Sequence, residues 1–339
     1  MRTGRTWRAV ATAGLVSGLV LLPGGQAQSA TCSVTAWQVP TGATTSAVHG
    51  YDGVRVAVGS TSRMVRVAGT WRHTDTRAAV WDDGRLVLRL TSETAVMDDV
   101  NAAGEVVGSE VVGSRRVAVT FDRLGTATPL PGRSTWDGYW ASLVTSGGDV
   151  VGQAVTGDQR VVVLWPAAAP GTYRELPVPG VTDARPVAVD DQLRIVASTS
   201  STTGGGYVRN TDGTWVPLAH PANGHADPWA IRDGRVVGRT LLDPNGFTVS
   251  EWNGAGALVR TYPTEAVIPR AIGGRGVVGG DALVDGGQRT VLWRDGVVVD
   301  RLPSVAAAFQ LAAISDVERT LVGREGSYPN HLPVHYRCS

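Results

Sequence analysis

An all-β, seven-bladed β-propeller is the fold class that three features of this sequence predict. First, a short apolar strand closes seven times on the same dyad or a near copy of it. The dyads are Val58-Gly59, Val107-Gly108, Val151-Gly152, Val196-Ala197, Val237-Gly238, Val278-Gly279 and Val322-Gly323. Successive second residues lie 49, 44, 45, 41, 41 and 44 positions apart. A period of about 40–45 residues, with room for four short strands, is that of a propeller blade. Second, valine-rich segments alternate apolar and polar residues between Asp-Gly and Asn-Gly turns, and long helical periodicity is absent. Third, the last repeat lacks an outer strand while the N-terminal part of the chain supplies a spare one, so the two ends complete one blade.

In chain order, residues 1–30 read as a secretory signal peptide. Arg2, Arg5 and Arg8 form the positive region, and Ala9 to Leu22 form the apolar one. Pro23 and two glycines break that run before Ala27-Gln28-Ser29-Ala30, and cleavage after Ala27, Ser29 or Ala30 fits. The apolar run is short for a bilayer span, and no later stretch approaches about 18 uninterrupted apolar residues. Cys32 follows closely, but Ser29-Ala30-Thr31 lacks the leading leucine of a lipid-attachment motif. Residues 31–339 are expected to form a single propeller domain, monomeric and secreted.

The fifth repeat shows one blade most clearly. Trp229 to Ile231 is a short strand, Asp233-Gly234 a turn, and Arg235 to Arg239 a second strand. Phe247 to Trp252 alternates as a half-buried strand should, and Asn253-Gly254 suits a type I′ hairpin leading to the outer strand Ala257 to Tyr262. The sixth repeat copies the scheme through Arg270 to Ile272, Gly276 to Gly279, Arg289 to Trp293, Asp295-Gly296 and Val297 to Leu302. Asp-Gly turns recur at Asp83-Gly84 and Asp212-Gly213. An aromatic ends the third strand at Trp81, Phe121, Trp165, Trp252, Trp293 and Tyr336; the fourth repeat reads Tyr207-Val208-Arg209 there. Packing between neighbouring sheets is the expected duty of these rings.

The seventh repeat has strands around Ala312 to Ile314, Thr320 to Gly323 and Pro333 to Arg337, and then stops. Ser33 to Val39, ending at Pro40-Thr41-Gly42, has the pattern of an outer strand. Pairing the two fragments removes the exposed edges of an open sheet. It also brings the only two cysteines, Cys32 and Cys338, to the same hairpin, where an oxidising compartment would join them.

Charge narrows the function classes. There is no lysine, and residues 31–339 carry 28 arginines against 30 acidic residues, a net charge of −2 with histidine neutral. Nucleic-acid binding, which calls for a basic excess or stripe, is not expected. The Gly-x-Ser-x-Gly, His-Glu-x-x-His and Gly-Lys phosphate motifs are absent. Asn210 to Trp215 has the wrong spacing for the Asp-box turn of propeller sialidases.

The order of small-apolar strand, Asp/Asn-Gly turn, Val-Val-Gly, then Ala-x-x-Trp and a Gly turn before Leu-Pro resembles the extracellular HAF-type repeat. It stands here as Ala102-Ala103-Gly104-Glu105-Val106-Val107-Gly108 and Arg289-Thr290-Val291-Leu292-Trp293. The resemblance covers most of residues 45–339, with loose copies. The His-Ala-Phe triplet itself is replaced by Ala79-Val80-Trp81 or Val291-Leu292-Trp293. It implies a secreted, propeller-like protein of unassigned activity and carries over no catalytic residue.

Candidate site residues lie in the unequal loops of one propeller face. The first repeat has an enlarged loop, Ser60 to Arg77, with Arg63, Arg66, Trp71, Arg72, His73 and Asp75. The second is followed by Trp136, Asp137, Tyr139 and Trp140, and the fifth is preceded by His220, Asn223, His225, Asp227 and Trp229. Flat apolar rings beside carboxylates and amides suit sugars, so Trp71, His73, Trp136, Tyr139, Trp140, His225 and Trp229 are the candidate ligand residues. The alternative for these tryptophans is burial between blades. His220 and His225 lack a third ligand and helical spacing, so no metal is expected there. The pairs Asp98-Asp99 and Asp190-Asp191 invite a two-carboxylate hydrolase reading, but turn capping is the expected role. Asp243 to Gly246 reads as a turn rather than a calcium loop. The sequence therefore points to a non-catalytic recognition module for an extracellular polysaccharide or surface protein, without cofactor. A secreted glycan hydrolase or lyase and a protein-interaction scaffold are the alternatives.

Overall fold

Period-two alternation between tight turns favours strands, and among the described residues every regular element is a strand. The computed structural model describes residues 32–199, 205–222, 224–242, 246–263, 266–284, 287–302, 309–326 and 329–338. The expected signal segment, Asn223 and the Asp243 to Asn245 turn lie outside them. Among the described residues, no helix is long and apolar enough to cross a membrane.

Seven four-stranded antiparallel sheets follow one another along the chain. After β1 (Cys32–Ala36), the first blade is β2 (Thr45–Tyr51), β3 (Val56–Val67), β4 (Thr70–Asp82) and β5 (Arg85–Arg89). The second is β6 (Val96–Val100), β7 (Val106–Val112), β8 (Arg115–Phe121) and β9 (Ala127–Pro129). The third is β10 (Gly138–Val144), β11 (Val150–Thr156), β12 (Gln159–Trp165) and β13 (Arg174–Leu176). The fourth is β14 (Ala184–Val189), β15 (Ile195–Thr199), β16 (Gly206–Arg209) and β17 (Trp215–Pro217). The fifth is β18 (Gly224–Arg232), β19 (Arg235–Leu242), β20 (Gly246–Trp252) and β21 (Leu258–Thr261). The sixth is β22 (Ala266–Ile272), β23 (Val278–Val284), β24 (Gly287–Arg294) and β25 (Val297–Arg301). The seventh is β26 (Gln310–Ile314), β27 (Thr320–Glu325), β28 (Leu332–Cys338) and, as its outer strand, β1.

The Val-Gly dyad has a steric origin. In every blade the pairing of first and second strands slips by one residue, so the first strand bulges at His49, Asp98, Ser142, Val187, Trp229, Arg270 and Ala312. Beside the bulge, the first strand's backbone crowds the second. A Cβ on Gly59, Gly108, Gly152, Gly238, Gly280 or Gly323 would lie 1.9–2.3 Å from a carbonyl oxygen of the first strand. Blade four places Ala197 there, opposite Pro186. In blade six the glycine opposite the bulge is Gly280, facing Pro269, so the structural dyad is Gly279-Gly280 and the Val278-Gly279 match sits one residue early.

The third-strand aromatics pack between blades, each 5 % exposed or less. In blades one, three and five the indole N–H also donates to the chain leaving the preceding blade: Trp81 to Gln38 O, Trp165 to Pro131 O and Trp252 to Ala219 O. The hydrophobic clusters accordingly span blade boundaries, as where Val58 and Ala78 meet Met97, Val119 and Phe121. Type I′ geometry, with positive φ at both central residues, occurs at Asp83-Gly84, Asp233-Gly234 and Asp295-Gly296. Asn253-Gly254 differs: the Asn253 side chain accepts from the amides of Ala255 and Ala257, and Gly256 takes the positive φ.

Ring closure is as the sequence predicts. β1 pairs antiparallel with β28, Cys32 opposite Cys338, and the two form a disulfide across 306 positions. Trp37 continues the latch, lying 5.7 Å from the Trp81 ring and donating to His335 Nδ1 at 2.9 Å. His335 is buried, and desolvation, followed by the Arg337 charge, holds its ring below the usual histidine value of 6.5. As pH falls below about 6.5 the unfolded chain takes up a proton here that the folded one resists, so stability is lost on acidification. The urea midpoint of the wild type, measured relative to that of His335→Gln, which keeps an acceptor for Trp37, is expected to fall between pH 7.5 and 5.5.

Candidate functional site

The first strands of all seven blades line a channel on the propeller axis, and its two mouths differ in charge. At the end where these strands finish, a cavity of about 310 Å³ is lined by Asp52, Asp99, Asp190, Asp191, Asp233 and Asp316 together with Arg232 and Arg270. Most of these acids hold backbone. Asp52 Oδ1 accepts from the amides of Val54, Arg55 and Val56. Asp190 Oδ1 accepts from Gln192 and Arg194, as the expected turn cap does, and its Oδ2 reaches Gly234 N in the next blade. Asp191 accepts from Ser146 N, and Asp316 pairs with Arg232 at 2.8 Å.

Asp98 and Asp99 depart from the expected turn-capping role. They sit at the bulge inside β6, and Asn101 caps the turn instead, accepting from Ala103 N and Glu105 N. Asp99 accepts from Val100 N and, across the blade boundary, from Val144 N. Desolvation lifts its carboxyl to about 7 despite those two bonds. Burial likewise raises the neighbouring Asp98 carboxyl, against the pull of His49 and Arg116. An acid poised near neutrality in a channel invites a catalytic reading. With both oxygens of Asp99 committed to amides, the pair joins blades two and three rather than offering two open carboxylates.

Toward the end where the first strands begin, a cavity of about 340 Å³ is lined by His49, Trp229, Arg270, Gln310 and Arg324 with small apolar residues and, among the described residues, by no acid. The bulges create this wall: His49, Trp229, Arg270 and Ala312 are the extra residues of four first strands. Trp229 is half-buried, its indole N–H donating to Asp227 Oδ2 at 3.1 Å. The guanidiniums of Arg239 and Arg270 lie 5.4 and 5.3 Å from its ring centroid, within cation–π range. Arg239 pairs with Asp227 at 2.7 Å, and Arg270 with the buried Asp281 at 3.0 Å. His49 Nδ1–H donates to Met97 O at 2.9 Å.

The other candidate residues scatter. Trp136 and Tyr139, expected among exposed rings, are 4 % and 6 % exposed. They pack with Tyr173 and Trp165, and the Tyr139 hydroxyl donates to Leu130 O. These rings fasten blades two and three, and the edge of Trp136 also lines a cavity of about 430 Å³ with Arg133, Arg160 and Glu175. Trp140 is half-buried in β10, opposite Gln153. His225 is half-buried near the start of β18, and His220 is exposed, bonding its own chain at Pro221 O. Ser60 to Arg77 is no loop: β3 and β4 run past the blade as a long hairpin. Trp71 stands on it at 38 % exposure, and His73 Nδ1 meets Ser62 Oγ at 2.8 Å. Among the described residues one trio has metal-ligand types, Cys32, Cys338 and Asp300, and its thiols are joined in the disulfide.

Of the mouth residues, the sequence singled out Trp229 alone. His49, Gln310 and Arg324 carry no local motif, and the signal that could have found the site is the recurring glycine, which marks the bulge opposite it.

No protein-family model and no curated protein matches the chain. Among solved structures it is similar to the β-propeller domain of Myceliophteria thermophila Cps50 (Swd1). The identity is 11 %, the TM-score 0.52, and the match covers 89 % of this chain and 99 % of that one. At that identity the likeness extends to the fold.

Proposed function

We propose that the protein is a non-catalytic, secreted recognition module that binds a carbohydrate or another cell-envelope group at the strand-start mouth of its channel. One observation carries the reading: a half-buried indole, Trp229, lies with Arg270, Gln310 and His49 in a cavity at the small end of the ligand-pocket range. An apolar ring beside fixed donors and acceptors is the chemistry by which a sugar ring and its hydroxyls are held. The secretory pattern of residues 1–30 and the Cys32–Cys338 disulfide support an extracellular setting.

Intrinsic tryptophan fluorescence of the mature protein against a polysaccharide panel tests the reading. A saturable shift is expected, weakened at least about 10-fold in Trp229→Ala and retained in Trp71→Ala. Retention in Trp229→Ala would remove the site from this mouth. Loss in Trp71→Ala instead would favour a scaffold that docks proteins through the β3–β4 hairpin, where Arg63, Arg66 and Arg72 stand exposed beside Trp71.

A further inference from the structure

Among the described residues, no carboxylate balances one positive charge of the strand-start cavity. Three arginines gather around it. Arg239 and Arg270 are neutralised by Asp227 and Asp281. Arg324, at the end of β27, donates from Nε to Gln310 Oε1 at 2.8 Å, and among the described residues no carboxylate pairs with it. A guanidinium carries five N–H donors in a rigid fork, so most of Arg324's capacity is left over in a partly enclosed site. Desolvation first, then the charge of Arg270, press its pKa below the usual arginine value. A partly buried charge without a counter-ion is costly to a fold. The opposite mouth gathers the acids, so the channel is electrically polarised and favours an anion at the arginine end.

The shape of the site narrows the anion. The Arg324 fork matches a planar carboxylate with two parallel hydrogen bonds. On the same wall, the Trp229 indole supplies an apolar surface, with Ala47, Val48, Leu311 and Ala312 around it. Resting on the assignment of this mouth as the ligand site, we propose that the cavity binds an acidic sugar residue, its carboxylate forked on Arg324 and its ring against Trp229. Gln310, already bonded to Arg324, positions the guanidinium, and His49 faces the ligand from the first blade.

Calorimetric titration at low salt tests this with three probes: a galacturonic acid trisaccharide, its methyl ester, and galactose 6-phosphate. The free acid is expected to bind at least about 10-fold more tightly than the ester, and to weaken as salt rises. Arg324→Gln is expected to cost about 30-fold for the acid, an amount typical of a hydrogen bond to a charged group, and to leave the ester unchanged. Arg324→Lys, keeping charge without the fork, should fall between. Thermal midpoints of both variants verify that each is folded. Equal affinity for acid and ester would overturn the acidic ligand while leaving the mouth as a sugar site. Preference for galactose 6-phosphate over the trisaccharide acid would replace carboxylate by phosphate. No binding of any probe would overturn the acidic-sugar assignment, and the site itself then stands or falls on the polysaccharide panel with Trp229→Ala.

Discussion

Cys32→Ser is expected to lower the thermal midpoint of the mature protein by about 10 °C. The disulfide spans 306 positions, nearly the whole propeller. For so long a loop, chain entropy alone gives on the order of 5 kcal/mol, an upper figure because native bridges often deliver less. In a domain of this size each kcal/mol moves the midpoint by roughly 2 °C. The loss acts at the one seam where the ring is held by a strand from the other end of the chain. β1 would remain attached through its ladder to β28 and through Trp37, so closure weakens without vanishing. Cys338→Ser should give the same shift, and the double variant no more, because both remove one bond. A midpoint within 2 °C of wild type would show that the ring does not depend on this seam.

Gly152→Val should be more damaging still. A Cβ at Gly152 would stand 2.0 Å from Trp140 O and 2.8 Å from Ala141 Cα, both backbone atoms that cannot rotate away. Overpacking of this kind costs about 1–3 kcal/mol for a small added group, as expected for Gly152→Ala. Valine adds two further methyls against the same strand, and a loss beyond about 4 kcal/mol is expected. Ala197 provides the internal contrast: blade four already accommodates a methyl opposite its bulge, so Ala197→Gly should change stability by less than about 1 kcal/mol. Denaturant midpoints of the three variants decide the matter. A wild-type midpoint for Gly152→Val would mean that the dyad glycine has no steric role.

The dyad also marks where sequence reasoning succeeds. A repeating glycine is legible because every blade meets the same obstacle, the bulged first strand, at the same place. The bulge itself is invisible, since one extra residue in an antiparallel pair leaves no compositional trace. Blade six shows the limit: Val278-Gly279-Gly280 offers two matches, and strand register selects the second. Residues 60–77 read as a loop because β4 is exposed at every position from Thr70 to Thr76, which erases the alternation that identifies a strand.

The site was less legible for a related reason. Trp136 and Trp229 look alike in sequence, each beside an aspartate in a polar stretch. Trp136 is covered by Tyr139 and Tyr173, both rings of blade three, whereas Trp229 occupies a bulge at the channel. Gln310 and Arg324 are register partners on adjacent strands of blade seven, and the curvature of the ring brings Arg270 of blade six to them. A motif can record what one strand needs; it cannot record what meets across an axis.

Hydrogen exchange of the mature protein, with and without saturating galacturonic acid trisaccharide, tests most directly that the strand-start mouth is the ligand site. Slowed exchange is expected in residues 46–49, 226–229, 310–312 and 323–324, with the β3–β4 hairpin and the acidic mouth unchanged. Slowing confined to the hairpin, or to the turns capped by Asp52 and Asp190, would contradict the account.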